Sequence, residues 1–252
     1  MISLHTLLQR LDDWMQPSSF EDYAPNGLQV EGRRSVSRLA LGVTASADVI
    51  EKSAAWGADA LLVHHGYFWK RESPVLTGIK GWRVRELIQN QMSLIAYHLP
   101  LDCHHEFGNN KTLLDHLGLQ GGKPVEGEDG LLWSVSLNPE HTLASLTERV
   151  AKQLGRGPLV IESPRADTNV SHLIVCSGGA QDYLTKAHMY GADVYLSGEI
   201  SERTTHEARE LGVHYIAAGH HATERYGVQA LGGKISRELG LEVCFFDDHN
   251  PA

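Results

Sequence analysis

Residues 37–62 read SRLALGVTASADVIEKSAAWGADALL, an apolar strand, a helix and a second apolar strand in succession. Residues 171–196 read SHLIVCSGGAQDYLTKAHMYGADVYL and align with the first stretch without a gap, at an offset of 134 (171 − 37). Both contain Gly-Ala-Asp between the helix and the second strand, at residues 57–59 and 191–193. Any two strand–helix–strand units share part of this pattern, but the gapless run favours an internal duplication.

The rest of the chain continues this alternation and predicts an α/β protein made of duplicated three-layer α/β/α halves with mostly parallel sheets. We predict a first half over residues 1–122, a small inserted β-α-β segment over 123–168, and a second half over 169–252. Residues 18–32 are expected to form a loop because they contain Pro-Asn-Gly. Strands are predicted at 39–43, 60–64, 94–98, 132–137, 159–161 and 215–218, and helices at 3–16, 47–56, 79–90 and 143–154.

Composition excludes several classes of protein. The chain has 252 residues and a formal net charge of −9, which disfavours a protein that binds duplex nucleic acid through its phosphates. No stretch reaches the ~18 consecutive apolar residues of a membrane-spanning helix, and the first residues do not resemble a secretion signal. Three scattered cysteines fit a reducing, cytoplasmic location. The 15 histidines are unusual and direct attention to metal binding.

The first histidine pair is His64-His65-Gly66, directly after an apolar strand. In an open α/β sheet, ligands collect beyond the carboxyl ends of the strands. Adjacent strand residues point to opposite faces, so the two histidines are better placed to reach two neighbouring ions than to chelate one. The alternative is a pair of polar residues at an exposed strand end.

The next candidates are His98 and Asp102, a histidine and an acid four residues apart that we expect to match His220 and Glu224 of the second half at an offset of 122 (220 − 98). Pro100 disfavours a helix at Leu99, so the two side chains are not expected to stack one helical turn apart. We predict that Asp102 is a metal ligand and that His98 supports it, because Asp102 lies further beyond the strand end. A turn or capping role for Asp102 is the alternative.

The sequence Gly-His-His-Ala-Thr-Glu at residues 219–224 is the more specific element. A helix that opens near His220 places His220 and Glu224 on one face, one turn apart. Imidazole and carboxylate at this spacing chelate Zn, Fe, Mn or Co. His221 points sideways and is expected to support the site or to contact substrate. A helix start with chance histidines is the alternative.

Together these patterns predict five ligands: His64, His65, Asp102, His220 and Glu224. Five side chains are too many for one open catalytic ion but suit two ions that share a carboxylate. Two divalent ions against two carboxylates leave a charge of about +2, which attracts phosphates even on an acidic protein. Such a centre activates water for hydrolysis.

Three motifs, HHGYFW at 64–69, HLPLD at 98–102 and GHHATE at 219–224, resemble the GTP cyclohydrolase I type 2 homologues, also called the Nif-three-like proteins. PNGLQVEG at 25–32 and GNN at 108–110 fit the same pattern, and the resemblance to the bacterial short form extends from about residue 22 to the end of the chain. It implies a dinuclear metal site, a duplicated α/β/α fold and a ring-like homohexamer, a trimer of dimers. The implied ligands match His64, His65, Asp102, His220 and Glu224.

One position departs from the family pattern. Many relatives have Gly-Asp with a nearby histidine in the second half, where this chain has Gly198-Glu199 and, further along, His206. Glu199 and His206 are therefore candidates for supporting the ligands from outside, as are His98 and His221. The sequence itself indicates no catalytic side chain. The candidate nucleophile is a metal-activated water.

Three functions fit these observations. The first is a hydrolase with two divalent ions (Fe, Zn, Mn or Co) that acts on a nucleotide or a small phosphorylated compound, with GTP cyclohydrolase-type ring opening as the reaction that the family name suggests. The second is a non-catalytic or regulatory metal-binding hexamer, and the third, which the net charge disfavours, is a nucleic-acid processing factor. Aromatic side chains beside the metals can stack a base, so Tyr67, Phe68 and Trp69 either contact the metal site or belong to the core. Family membership alone does not settle the reaction.

Overall fold

A computed structural model describes residues 1–138 and 141–252. The chain divides into two compact units, described separately below. Unit 1 comprises Met1–Leu101 and Val228–His249, and unit 2 comprises Asp102–Gly227 and Asn250–Ala252. Within the parts of the chain that the structure describes, no helix has the length and apolar character needed to cross a bilayer.

The strands and helices follow in chain order. The strands are β1 (Ile2–Ser3), β2 (Gly27–Val30), β3 (Ser35–Val36), β4 (Arg38–Thr44), β5 (Ala60–His65), β6 (Ser93–Ala96), β7 (Lys123–Pro124), β8 (Trp133–Ser136), β9 (Leu159–Ile161), β10 (His172–Val175), β11 (Val194–Ser197), β12 (His214–Ala217) and β13 (Glu242–Phe245). The helices are α1 (Leu4–Met15), α2 (Ala47–Trp56), α3 (Gly78–Gln89), α4 (Leu99–Cys103), α5 (Asn109–His116), α6 (Leu143–Leu154), α7 (Leu184–Met189), α8 (Glu202–Leu211) and α9 (His220–Leu239).

Unit 1 contains a sheet with the strand order β13-β4-β5-β6-β2. Neighbouring strands from β13 to β6 are parallel, and β2 is antiparallel to β6. Helix α2 connects β4 to β5: Ser46 caps its N-terminus, and it buries Val49 and Ile50 against the sheet. Because the connections are helical crossovers, the carboxyl ends of β5 and β6 lie at the same edge of the sheet.

Unit 2 contains a sheet with the order β7-β8-β10-β11-β12-β9. Strands β10, β11 and β12 are parallel, while β8 and β9 add antiparallel strands on either side of them. Helix α6 buries an apolar face that includes Leu146 and Val150 in the core of this unit. The α/β class predicted from the sequence is confirmed by this arrangement.

The ladder registers reproduce the internal repeat. Leu39 pairs with Ala60 in unit 1 and Leu173 pairs with Val194 in unit 2, so both partners are shifted by 134. In each unit the three parallel strands are followed by one antiparallel edge strand, β2 beside β6 and β9 beside β12. Equal order and equal register are what a duplication requires.

The third parallel strands of the repeat, β6 and β12, show that one of the expected residue matches between the halves is wrong. Ser93 in β6 pairs with Ala60, and His214 in β12 pairs with Val194, the equivalent of Ala60. Ser93 therefore corresponds to His214, at an offset of 121 (214 − 93). Helices α4 and α9 begin at the same offset. His98 therefore corresponds to Gly219, and the expected match of His98 with His220 is wrong by one residue.

Two local expectations are also wrong. Residues 27–30 lie in the stretch expected to be a loop but form β2, because they pair with β6 at the edge of the sheet. Leu99–Cys103 form a helix despite Pro100. Proline is tolerated in the first turn of a helix, where its missing N–H has no intrahelical partner.

The compact units divide the chain differently from the three predicted segments. Residues 123–168 do not stand apart, because their strands β8 and β9 hydrogen-bond to β10 and β12 of unit 2. The end of the chain does not remain with the second half either. Strand β13 returns to unit 1 and pairs in parallel with β4, which places residues 228–249 there.

Candidate metal centre

His64 and His65 end β5 in unit 1. His64 is fully buried, and its Nδ1 lies 3.0 Å from the carbonyl oxygen of Tyr97. Because a carbonyl oxygen only accepts, Nδ1 carries the proton and Nε2 carries the lone pair that a metal requires. His65 is partly exposed, and its Nδ1 lies 3.1 Å from Thr44 Oγ1.

The two imidazoles converge more than strand geometry predicts. Their ring centroids are 4.4 Å apart although neighbouring strand residues point to opposite faces. Both residues lie at the end of β5, and His65 is the last residue of this strand to pair with β4. His64 and His65 therefore lie close enough together to serve neighbouring ligand positions.

His98 joins this pair. Each of His64, His65 and His98 offers one ligand atom, and the three atoms lie within 4.8 Å of one another. His98 Nδ1 donates to Asp22 Oδ1 at 2.9 Å, so its Nε2 also carries a lone pair. The structure thus places His98 among the candidate donors of unit 1, whereas sequence reasoning predicts only a supporting role.

Asp22 holds His98 from the side away from that lone pair. Burial by itself raises the pKa of Asp22, but hydrogen bonds from His98 and Asn26 and favourable electrostatics with His98 outweigh it and lower the pKa to about 2. Asp22 Oδ2 also accepts from the Leu99 N–H at 2.9 Å. A carboxylate that bonds an imidazole N–H in this way orients the ring and increases its basicity toward a metal.

The Pro-Asn-Gly segment and the residues after it support the histidines. Asn26 Oδ1 accepts from the His98 N–H at 2.7 Å, and Gln29 Oε1 accepts from the Tyr67 N–H at 2.8 Å. A Cβ built on Gly66 would overlap the Gln29 amide, so a larger residue there would displace Gln29 from its contact with the Tyr67 N–H.

The aromatic residues after the histidines separate into two groups. Tyr67 is buried in the core and its hydroxyl donates to the Ala45 carbonyl oxygen, and Phe68 packs against the same core. Trp69 instead lies beside the histidines, with its ring centroid 6.0 Å from His65 and 5.0 Å from His98. Of these three aromatics, Trp69 is the one that reaches the candidate site.

In unit 2, the first turn of α9 carries His220 and Glu224. His220 Nε2 lies 3.1 Å from Glu224 Oε2, which confirms that the two stack one turn apart. His220 Nδ1 lies 2.6 Å from Glu199 Oε1. Burial lowers the pKa of His220, but hydrogen bonds and negative charge from Glu224 and Glu199 outweigh it and raise the pKa to about 9.

Glu224 is buried, and backbone features of unit 2 make room for its carboxylate. A Cβ built on Gly178, where φ is +68°, would overlap Glu224 Oε1. The Gly178 N–H donates to Thr223 Oγ1 at 3.0 Å, which holds this loop against the start of α9. A larger residue at Gly178 would therefore displace the Glu224 carboxylate and would also be strained by the positive φ.

Asp102 lies in α4 and is also buried. Its Oδ1 accepts from Asn109 Nδ2 at 2.8 Å. The fully buried Asn110 accepts from the Ser177 N–H at 2.8 Å and donates to the Leu131 carbonyl oxygen at 3.0 Å. The Gly-Asn-Asn motif thus anchors Asp102 and the loop that follows β10.

The pKa of the buried Cys176 thiol is affected by negative charge in this part of unit 2. Burial, followed by the charges of Asp102, Cys103 and Glu224, raises the pKa of Cys176 well above its usual value. Two buried carboxylates in one apolar environment are costly unless a cation or hydrogen bonds compensate them. This donor chemistry fits a divalent metal ion.

Two further candidates differ in position. His221 is buried, and its backbone N–H donates to the Ala252 carbonyl oxygen at 3.2 Å. His206 lies on α8 with 63% of its side chain exposed, where it pairs with Glu202 at 3.0 Å. His206 is therefore a surface residue, and the expectation that it supports the buried ligands is wrong.

The comparisons with known proteins now identify the family. A family model described as Duf34/NIF3 (NGG1p interacting factor 3) matches residues 2–251. The chain belongs to the DUF34/NIF3 family. The resemblance drawn from the motifs is confirmed, since curated members named GTP cyclohydrolase 1 type 2 homolog are similar over the full length of the chain.

Two of these DUF34/NIF3 relatives come from Allochromatium vinosum and Vibrio cholerae. The first is 51% identical over 252 residues, covering 100% of this chain and 98% of the relative. The second is 47% identical over 243 residues, covering 96% of both. The chain therefore spans essentially the whole length of these relatives.

Solved structures of the family share the fold. Protein ybgI, described as of unknown function, has a TM-score of 0.95 and 40% identity, with both chains fully covered at 100%. TTHA1606 from Thermus thermophilus has a TM-score of 0.89 and 33% identity, again covering 100% of both chains. Within this DUF34/NIF3 fold, the buried His, Asp and Glu groups of the chain could hold a metal ion.

Sequence reasoning missed two residues of the candidate site. Asp22 supports His98, and Tyr23 lies beside it, with a ring centroid 5.0 Å from that of His98. Their only sequence signal is that they lie three and two residues before Pro25, the start of the Pro-Asn-Gly segment of the DUF34/NIF3 motif. A loop residue has no periodicity that indicates where its side chain points.

Proposed function

We propose that the chain is a metal-dependent hydrolase that acts on a nucleotide or another small phosphorylated compound. The observation that carries this proposal is the group formed by His64, His65 and His98, whose ligand atoms lie within 4.8 Å of one another. His64 and His98 are buried and His65 is partly exposed, and a bound cation would compensate the burial of these polar groups. GTP cyclohydrolase-type ring opening is the specific reaction proposed, because the family's curated members carry that name.

The proposed ligand set is larger than one ion needs. It comprises His64, His65, Asp102, His220 and Glu224, with His98 added from the structure. His64 and His98 each have Nδ1 bonded to an oxygen acceptor, which leaves Nε2 for a metal. His220 Nδ1 lies against Glu199, and its Nε2 lies 3.1 Å from Glu224 Oε2. A mixed nitrogen and oxygen set of this size suits two ions of Zn, Fe, Mn or Co.

The side chains would prepare the chemistry in distinct ways. When bound, divalent ions lower the pKa of a coordinated water and attract a phosphate group. Tyr97 and Asp22 hold His64 and His98 in place, so these rings need little reorganisation to bind. Glu199 is partly exposed and lies against His220 Nδ1, where its carboxylate can accept a proton.

The deciding experiment combines metal analysis with a turnover screen. Purification without chelator should give about two metal ions per chain. The protein is then offered GTP and a panel of nucleotides and phosphate monoesters, with release of formate or phosphate as the readout. His65→Ala should lower both metal content and turnover, whereas His206→Ala, a change at an exposed histidine, should alter neither.

The same experiment separates the alternatives. A protein that holds two ions but turns over no member of the panel would be a metal-binding or regulatory protein instead. A native stoichiometry near one ion per chain would contradict the dinuclear centre. Loss of activity in His206→Ala as large as in His65→Ala would contradict the proposed site.

We also propose a cytoplasmic location and a homohexamer built as a trimer of dimers. The reduced thiols of Cys103, Cys176 and Cys244 support a reducing compartment. The hexamer rests on the family resemblance, and the exposed apolar residues Val75, Leu76 and Ile79 of unit 1 support association.

A further inference from the structure

We propose that Tyr23 and Trp69 form an aromatic shelf that stacks a planar heterocyclic ring of the substrate beside His65 and His98. This inference rests on the proposed function and deepens it, because it assigns the residues that recognise the ring of a nucleotide substrate. All four residues belong to unit 1.

The shelf has a defined geometry. The ring centroids of Tyr23 and Trp69 are 5.5 Å apart with an interplanar angle of 33°. Each centroid is 5.0 Å from that of His98, which stands nearly perpendicular to both rings at 72° and 84°. Trp69 also lies 6.0 Å from His65. The two larger rings therefore present their faces next to two candidate metal ligands.

Exposure distinguishes these rings from their neighbours. Tyr67 is buried and Phe68 packs against the core of unit 1, whereas 55% of Tyr23 is exposed and Trp69 is partly exposed. Aromatic side chains usually contribute most when buried. A tyrosine that stays half-exposed beside a buried histidine group presents ring surface to solvent, where a ligand can stack.

The backbone is bent to present Trp69. Phe68, directly before it, has φ of +64°, a left-handed conformation that bulky residues rarely adopt. Glu72 holds the bend: its Oε2 accepts from the Phe68 N–H at 2.7 Å and the Trp69 N–H at 3.3 Å. Lys80 Nζ lies 3.3 Å from Glu72 Oε1 and holds the Glu72 carboxylate in place. Strain that the surrounding structure maintains is characteristic of functional sites.

The spacing of the shelf indicates how it would bind. A centroid separation of 5.5 Å leaves no room for a third ring between Tyr23 and Trp69, so a base would stack on an outer face. Stacking of this kind accepts any base. Lys70 and Arg71 follow Trp69 and are not buried, so they add positive charge for the phosphates of the same ligand.

The test compares ligands that differ only by the base. Adenosine 5′-monophosphate, guanosine 5′-monophosphate and ribose 5-phosphate are titrated calorimetrically into the metal-loaded protein. Wild type should bind both nucleotides about five- to a hundredfold more tightly than ribose 5-phosphate. The double variant Tyr23→Ala/Trp69→Ala should lose that preference while its affinity for ribose 5-phosphate changes by less than about twofold.

Two controls separate stacking from folding. Tyr23→Phe/Trp69→Phe keeps the aromatic faces and should retain most of the preference. Tyr190→Ala removes an exposed tyrosine of unit 2 and should retain all of it. Metal content and hydrolysis are measured on the same samples. Retained base preference in a protein that lacks metal or turnover would support the shelf while contradicting the proposed function.

Four results would overturn the shelf. Wild type could bind nucleotides and ribose 5-phosphate equally, or bind none of them. The alanine double variant could keep the full preference for nucleotides. Or the preference could fall as much in Tyr190→Ala as in the double variant.

Discussion

Glu199 holds in unit 2 the position that His65 holds in unit 1. The offset of 134 that relates the first two strands of the repeat carries residue 65 to residue 199. His65 Nδ1 lies 3.1 Å from Thr44 Oγ1, and Glu199 Oε1 lies 2.6 Å from His220 Nδ1. His65 thus ends β5 with an imidazole, whereas Glu199, two residues after the end of β11, supplies a carboxylate that orients an imidazole.

Glu199→Ala should weaken metal binding by about 10- to 100-fold, because His220 loses the carboxylate that fixes its ring. Glu199→Gln keeps an acceptor oxygen and should therefore lose less metal affinity than Glu199→Ala. Affinity is measured by competition with a chromophoric chelator. Glu202→Ala is the matched control, since Glu202 pairs with the exposed His206 at 3.0 Å. An equal loss in Glu202→Ala would contradict the positioning role of Glu199.

Glu224→Gln should weaken both metal sites together. A carboxylate can bridge two ions through its two oxygens, whereas a neutral imidazole serves one, and the amide removes a charge and one ligand oxygen. His65→Ala should empty mainly one site. Bound metal per chain is measured in both variants after identical dialysis. If Glu224→Gln retains both ions at wild-type affinity, Glu224 is not the carboxylate that the two ions share.

Gly178→Ala should lower metal content and stability together, because its Cβ would overlap Glu224 Oε1. Gly155→Ala is a matched control: φ is +69° there and +68° at Gly178, but the space around a Cβ at Gly155 is open. Gly155→Ala should therefore show only the left-handed conformational cost of about 1–2 kcal/mol. Urea unfolding and metal analysis are compared. Unchanged metal content in Gly178→Ala would contradict the contact with Glu224.

Asp59 and Asp193 should stabilise the protein in a pH-dependent manner. Burial raises the pKa of each, but backbone N–H groups at 2.8–3.1 Å outweigh it and lower both pKa values below 3.8. A carboxylate whose folded pKa is depressed stabilises the fold above its unfolded pKa, and this contribution disappears as pH falls through the folded value. The stability difference between pH 7 and pH 3 should therefore shrink in Asp59→Asn.

The expected loss in Asp59→Asn at pH 7 is about 1–2 kcal/mol by urea unfolding. Asp193→Asn should behave alike, since the two residues are related by the repeat offset of 134 (193 − 59). Asp115→Asn serves as control because its half-exposed carboxylate pairs with Lys111 on one helix surface. A loss in Asp59→Asn that is the same at both pH values would show that its charge is unimportant.

Association should depend on the apolar stretch Val75, Leu76 and Ile79 of unit 1, which are 59%, 49% and 72% exposed. Exposed apolar groups of this kind mark interaction surfaces. Light scattering should give about 167 kDa for six chains of 27.8 kDa. Ile79→Asp should reduce this mass, while Met189→Asp, at an exposed apolar residue of unit 2, should not. A wild-type mass of one chain would contradict the hexamer.

Much of the fold was predictable because it depends on local sequence patterns. Apolar runs and helical periodicity predicted α2, α6 and β9 with the bounds that the structure has, and β5 within one residue. The parallel arrangement followed from strands that alternate with helices of crossover length. The pairing of β13 with β4 was not predictable, because nothing in residues 242–245 indicates which sheet edge they join.

For the candidate site, the sequence alone determined which residue types end the strands. His64, His65 and Glu224 were identified because strand ends and a helical spacing of four are local properties of the chain. Only the tertiary structure showed that His98 offers a lone pair beside them, because that depends on Asp22, 76 residues away, accepting its Nδ1–H. The same holds for Tyr23 and Trp69: their contact depends on a left-handed turn at Phe68 that Glu72 maintains. Periodicity records which face of an element is buried, whereas the partner of a loop side chain is chosen by the packing of distant segments.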